Sequence, residues 1–198
     1  MSIKKINPRF SVLLLLITAF AAMRIPNAAQ LTPWSNFSPV GAMGLFGGAY
    51  FSNRYKAFVF PLLTLLLSDL VINLLVFKGQ YGAMYNGWYI IYGIFILIVL
   101  LGKWLIKNVT IKSVVLAAVS AALLHWLLAD FSVWISGGTD LRTMTPLAKN
   151  WDGLMQCYAQ GFPYMKNFLL GNLLYATVMF GCFEMLQYKY PVLKIQYA

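Results

Sequence analysis

Acidic side chains are scarce in this chain: five Asp and Glu stand against fifteen Lys and Arg in 198 residues, with one histidine and two cysteines. Each shortage excludes a class of function. Charged residues make up 10% of the sequence, where a soluble domain carries about 25%, so no separate water-soluble domain is expected. His125, Cys157 and Cys182 form no CxxC motif and no Cys/His cluster, which leaves neither a metal site nor a disulfide framework. A GxxxxGK[ST] phosphate loop, a GxSxG nucleophile turn and an HExxH pair are all missing, and these would signal ATP hydrolysis, acyl transfer or zinc catalysis. An enzyme is therefore not expected, and no cofactor is implied. The net charge of +10 does not point to nucleic acid either, because the basic residues flank apolar runs and form no patch.

What is abundant is apolar surface. Hydrophobic residues make up 61% of the chain and the mean hydropathy is +0.72, which defines an integral membrane protein of all-α class. The apolar runs predict six spans in a single transmembrane domain over residues 1–198, at about 10–25, 38–51, 57–77, 88–106, 113–131 and 166–187. The first run follows Lys4, Lys5 and Arg9 and contains Ala19-Phe20-Ala21, features shared with a cleavable signal peptide. A retained span is preferred, since the glycine-rich second helix needs a neighbour from that side. With both termini in the cytoplasm, ten of the fifteen basic residues fall on inner segments, among them Arg54, Lys56, Lys103, Lys107 and Lys112. That bias supports a multi-pass protein of the bacterial inner membrane with its longer, aromatic and amide-rich loops facing outward.

The second run, WSNFSPVGAMGLFGGAYF, organises the rest. Gly44 and Gly48 form a GxxxG pair and Gly41 lies one turn back, a spacing that lets another backbone approach closely in lipid. From Phe37 to Phe51 it would reach only about 22 Å as a helix, short of a hydrocarbon core of about 30 Å. Asp69, with Asn73 one turn on, lies deep in the third span, where an ionisable group is costly. The expectation is that it is uncharged or internally paired, locking helices together. Trp126, Asp130 and Trp134 recur at i+4 along the fifth span, which suits either a ligand surface or an interfacial aromatic belt. His125 points about 140° away from Asp130 by helical geometry and reads as a packing residue. Together these define an expected outer-face ligand pocket: Trp34, Asn36 and Phe37 from the first loop, Tyr85 and Trp88 from the third, Trp126, Asp130 and Trp134 from the fifth span, and Asn167 and Asn172 from the last. Such a mixture of apolar walls and a few polar groups is what small-molecule sites use.

The segments NFSPVGAMGLFGGAYF, PLLTLLLSDLVIN, HWLLADFSVWISGG and CYAQGFPYMKNFLLGNLLYATVMFG resemble a family of small six-helix bacterial membrane proteins of unknown function, over residues from about Asn36 to Gly181. By size, topology and the character of its outer loops, that family is in turn similar to the substrate-binding S components of energy-coupling-factor vitamin transporters. This resemblance implies a six-helix bundle with an outward-facing site, a nutrient or vitamin as ligand, and a transmembrane coupling subunit with ATPases as partner. S components pack on that subunit through small residues of the first helix, and here Thr18 and Ala22 supply one such pair.

Three functions follow as expectations. The first is a binding module for a small nutrient, in the lipid bilayer, with release driven by a partner. The second is a structural or assembly protein of the cell envelope, similar in size and topology to rod-shape-determining scaffolds. The third is a solitary ion-coupled transporter using Asp69.

Overall fold

The computed structural model describes residues 7–25, 35–80 and 82–194, and the predicted pocket residue Trp34 lies outside them. The described residues include six longer α-helices: α1 Pro8–Ala22, α2 Val40–Tyr50, α3 Arg54–Val71, α4 Trp88–Leu105, α5 Ile111–Ile135 and α6 Trp151–Lys189. A π-helical turn, Ile72–Val76, extends α3, and a two-residue hairpin pairs Thr139–Asp140 (β1) with Thr145–Pro146 (β2) between α5 and α6. Four helices are long and apolar enough to cross a membrane: α3 with its π turn, α4, α5 and α6. This marks a membrane protein. The other two, α1 and α2, are shorter apolar helices.

Helix starts are written into the sequence. Asn7 accepts from the backbone N–H of Arg9 at 3.0 Å, Asn53 from Lys56 at 3.3 Å and Asn150 from Gly153 at 2.9 Å. Thr110 and Ser113 form a reciprocal capping box at the start of α5. Each cap satisfies amide groups that the first helical turn leaves without partners.

The core is built around α2, which touches all five other helices. It is 11 residues long, about 16 Å at helical rise, and Val40 to Gly48 are all buried. Its glycines serve different neighbours. A Cβ on Gly48 would overlap the Val99 carbonyl of α4, and one on Gly102 of α4 would overlap the Leu45 backbone of α2. Gly47 faces Pro61 of α3, Gly41 faces Asn172 of α6, and a Cβ on Gly44 would lie 3.1 Å from Ile98 Cγ2. Close backbone approach between α2 and α4 thus depends on Gly48 and Gly102 together. The sequence showed the first of these and not the second.

Two boundaries differ from expectation. The sequence predicted a fifth span ending near residue 131 and a last span starting near residue 166, with the stretch between them outside any span. Instead α6 runs unbroken for 39 residues, with Pro163 inside it, and α5 extends to Ile135. The reason is tertiary: the first turns of α6 lie along α5, the most extensive helix pair in the molecule. There Tyr158 Oη donates to the Leu127 carbonyl at 3.1 Å and Cys157 Sγ to the Asp130 carbonyl at 3.2 Å.

The described ends of the chain meet at one end of the bundle. Arg9 at the start of α1 donates to Gln187 Oε1 at 2.8 Å, to the Leu193 carbonyl and to the Tyr50 carbonyl at 3.2 Å. At the same end Glu184 accepts from Tyr50 Oη and from Gln187 Nε2.

Candidate ligand cavity

At the opposite end, α1, α3 and α4 are joined by charge. Arg24, two residues past α1, pairs with Asp69 of α3 at 2.8 Å, and Asp69 is 4% exposed. The second carboxylate oxygen of Asp69 accepts from Tyr92 Oη of α4 at 2.8 Å. Arg24 also donates to Ser68 Oγ and to the Leu65 carbonyl, and Asn73 Nδ2 caps the Asp69 carbonyl at 2.9 Å as the helix widens into its π turn. Asp69 is therefore internally paired. Its partner was not foreseen, although an arginine at the end of one apolar run and an aspartate within another is the available signal, since charges at membrane depth seek each other.

Above this knot lies a cavity of about 400 Å³, within the range of ligand pockets. Its walls come from several elements. Asn36 and Ser38 enter from the segment before α2, and Tyr85 from the turn before α4. Ile91 and Phe95 come from α4, while α5 contributes His125, Trp126, Ala129 and Asp130. Gly161, Tyr164, Met165 and Phe168 of α6 close one side, and Arg24 lies at the edge. Asn36 holds its place with φ at 68°, a left-handed conformation that asparagine tolerates better than most residues. Burial, and then the nearby Asp69 carboxylate, push the Tyr85 phenol above its ordinary range, so it stays a neutral hydroxyl.

Of the ten predicted pocket residues, Asn36, Tyr85, Trp126 and Asp130 line this cavity. Phe37 packs instead on the Tyr175 ring at 5.6 Å, and Trp88 sits edge-on to Tyr92 at 5.3 Å. The Trp134 indole donates to the Ala148 carbonyl at 2.8 Å, and Asn167 donates to the Ser35 carbonyl at 2.9 Å. Asn172 is fully buried against Gly41. The stripe Trp126, Asp130, Trp134 is thus split, with its last member engaged by the loop before α6. His125, read as a packing residue on the far side from Asp130, is also part of the cavity wall, its ring set against Phe168 at 4.6 Å and Phe95 at 5.7 Å. Sequence reasoning missed Arg24, Ser38, His125, Tyr164 and Phe168 as lining groups. The last two are one turn apart on α6, but nothing in their spacing distinguishes a cavity wall from a packing stripe.

Asp130 is the unusual member. Its Oδ2 is buried with no hydrogen-bond partner among the described residues, and a Cβ on Gly161 would overlap that oxygen. Glycine at 161 is what lets α6 close over the carboxylate. Among the described residues no group of three His, Cys, Asp or Glu side chains could hold a metal ion.

The match that places this chain among known proteins covers residues 4–193, on the model described as "Family of unknown function (DUF6580)". The chain belongs to this family. The DUF6580 match takes in all six helices and both the Arg24–Asp69 pair and the cavity. No curated protein and no solved structure matches the chain.

Proposed function

We propose that this protein is a membrane-embedded binding subunit that captures a small nutrient, of vitamin-like size, in the cavity lined by Asn36, Tyr85, Trp126 and Asp130. The observation that carries the reading is that cavity: about 400 Å³, with aromatic rings in its walls and a few polar groups from five different parts of the chain converging on it. A protein serving only as an envelope scaffold would present a flat outer surface and has no need of a cavity of this size. We assign Asp69 to structure, since Arg24 and Tyr92 occupy both of its oxygens, which removes the residue that a solitary ion-coupled carrier would use. In this reading the chain is a six-helix bundle like an energy-coupling-factor S component, multi-pass in the bacterial inner membrane. Both termini face the cytoplasm and the cavity faces outward. It depends for release on a coupling subunit with ATPases, because the chain has no phosphate loop of its own.

The test is native mass spectrometry of the full chain purified in mild detergent, alongside Asp130→Ala and Trp126→Ala. A small molecule retained by the parent and lost from both variants, each still folded, is the expected result. A parent that carries no small molecule in any preparation, with both variants indistinguishable from it, contradicts the reading and favours the scaffold.

A further inference from the structure

If the cavity is a ligand site, its uncompensated charge says what kind of ligand it takes. Of its lining residues, Arg24 and Asp130 are the two whose side chains are ordinarily charged at neutral pH, and they are of opposite sign. Arg24 is already neutralised by Asp69, with further hydrogen bonds to Ser68 and Leu65. Asp130 forms no ion pair with any described Lys, Arg or His, and its Oδ2 has no hydrogen-bond partner among the described residues. The side chain is held in place all the same, with Gly161 of α6 against its carboxylate and Cys157 Sγ donating to its backbone carbonyl at 3.2 Å. Around it the walls present the rings of Tyr85, Phe95, Trp126, Tyr164 and Phe168.

We infer that the ligand is a small organic cation, an amine or protonated nitrogen heterocycle with an apolar body, whose charged nitrogen donates to Asp130. A carboxylate in an apolar wall without a counter-charge is costly, and a cationic donor in the cavity supplies that charge. Aromatic faces attract the same cation through their ring quadrupoles, so walls and carboxylate select the same sign. An anionic ligand would meet Asp130 while finding the Arg24 guanidinium already engaged.

The inference rests on the cavity being a binding site, and a charge series separates its failure from the failure of that premise. The full chain in phosphatidylcholine nanodiscs is dialysed at pH 7 against 2-phenylethylamine, 2-phenylethanol and phenylacetate, which share one ring and differ in charge. The amine is expected to bind tighter than the alcohol by about tenfold or more, the gain of a charge-assisted hydrogen bond. Asp130→Asn should abolish that preference, bringing amine and alcohol to similar affinity within the variant. Equal binding of the three, preference for the acid, or an amine preference that survives in Asp130→Asn would overturn the cationic assignment while leaving the cavity a site. Binding of none would overturn both. Should Asp130→Asn fail to fold, the charge series in the parent decides alone.

Discussion

Arg24 and Asp69 are opposite charges in places where neither is stable alone. Their 2.8 Å contact, reinforced by Tyr92 and Ser68, ties the end of α1 to α3 and α4 just below the cavity. Removing one partner of a buried pair strands the other, at a cost of about 3–5 kcal/mol. Asp69→Leu and Arg24→Leu should therefore each lower the thermal unfolding midpoint strongly, and the double variant should lose less than the sum of the two. Were Asp69 uncharged, one of the two states the sequence allowed, Asp69→Asn would be harmless. With Arg24 in contact, the amide leaves a guanidinium without its counter-charge, so Asp69→Asn should be destabilising as well. Parent-like midpoints for the single variants would show the pair to be idle. Outside the membrane helices, the hydrogen bonds of Arg142 hold the Asp140 carboxyl below its ordinary range. A depressed carboxylate pKa stabilises the folded form above the ordinary value, about 3.9. That contribution is lost as pH falls through the lower, folded value. Amide exchange in residues 139–146 should therefore be unaffected between pH 7 and 5 once the intrinsic rate is corrected, and quicken only below about pH 4. Arg142→Ala should move that onset upward, and no movement would contradict the role given to Arg142.

At the scale of elements, the seam between α2 and α4 is a backbone contact made possible by Gly48 and Gly102. Adding a methyl at either forces the helices apart, and overpacking of this kind costs about 1–3 kcal/mol. Gly48→Ala and Gly102→Ala should both destabilise by that order. Gly93→Ala, on the same helix α4 but with nothing within 4 Å of the new Cβ, should be neutral or slightly stabilising through helix propensity. Unfolding midpoints for the three variants check this, and a similar loss at Gly93 would mean that helix propensity or lipid packing, not the seam, governs these sites. The central role of α2 was legible because glycines at i, i+3, i+6 and i+7 (Gly41, Gly44, Gly47 and Gly48) have few other uses in an apolar run. The length of α6 was not. Pro163 and Gly161 read locally as a break, since proline inside a helix costs about 3 kcal/mol. Only the long contact with α5, through Tyr158 and Cys157, keeps the helix continuous across them.

Across the whole molecule, two ends do different things. One gathers the two described ends of the chain through Arg9, Gln187 and Leu193, and the other opens into the cavity over the Arg24–Asp69 pair. The cavity lies at the end whose loops are aromatic and amide-rich, and Asn36, Tyr85, Trp126 and Asp130, which line it, stood out in the sequence as polar and aromatic groups at the ends of apolar runs. Trp88, Trp134 and Asn167 looked equally suitable but found local partners in Tyr92, Ala148 and Ser35. No one-dimensional pattern reveals which indole or amide is already engaged. The central claim is that the cavity holds a small molecule. An experimental density map of the full chain, prepared in nanodiscs without any added ligand and after the mildest extraction, tests it most directly. The account predicts discrete density between Asp130, Trp126 and Phe168, with a polar group within hydrogen-bond distance of Asp130 and the Arg24–Asp69 pair intact beneath it. A cavity collapsed onto its own side chains, or filled by an acyl chain with Asp130 turned away, would contradict it.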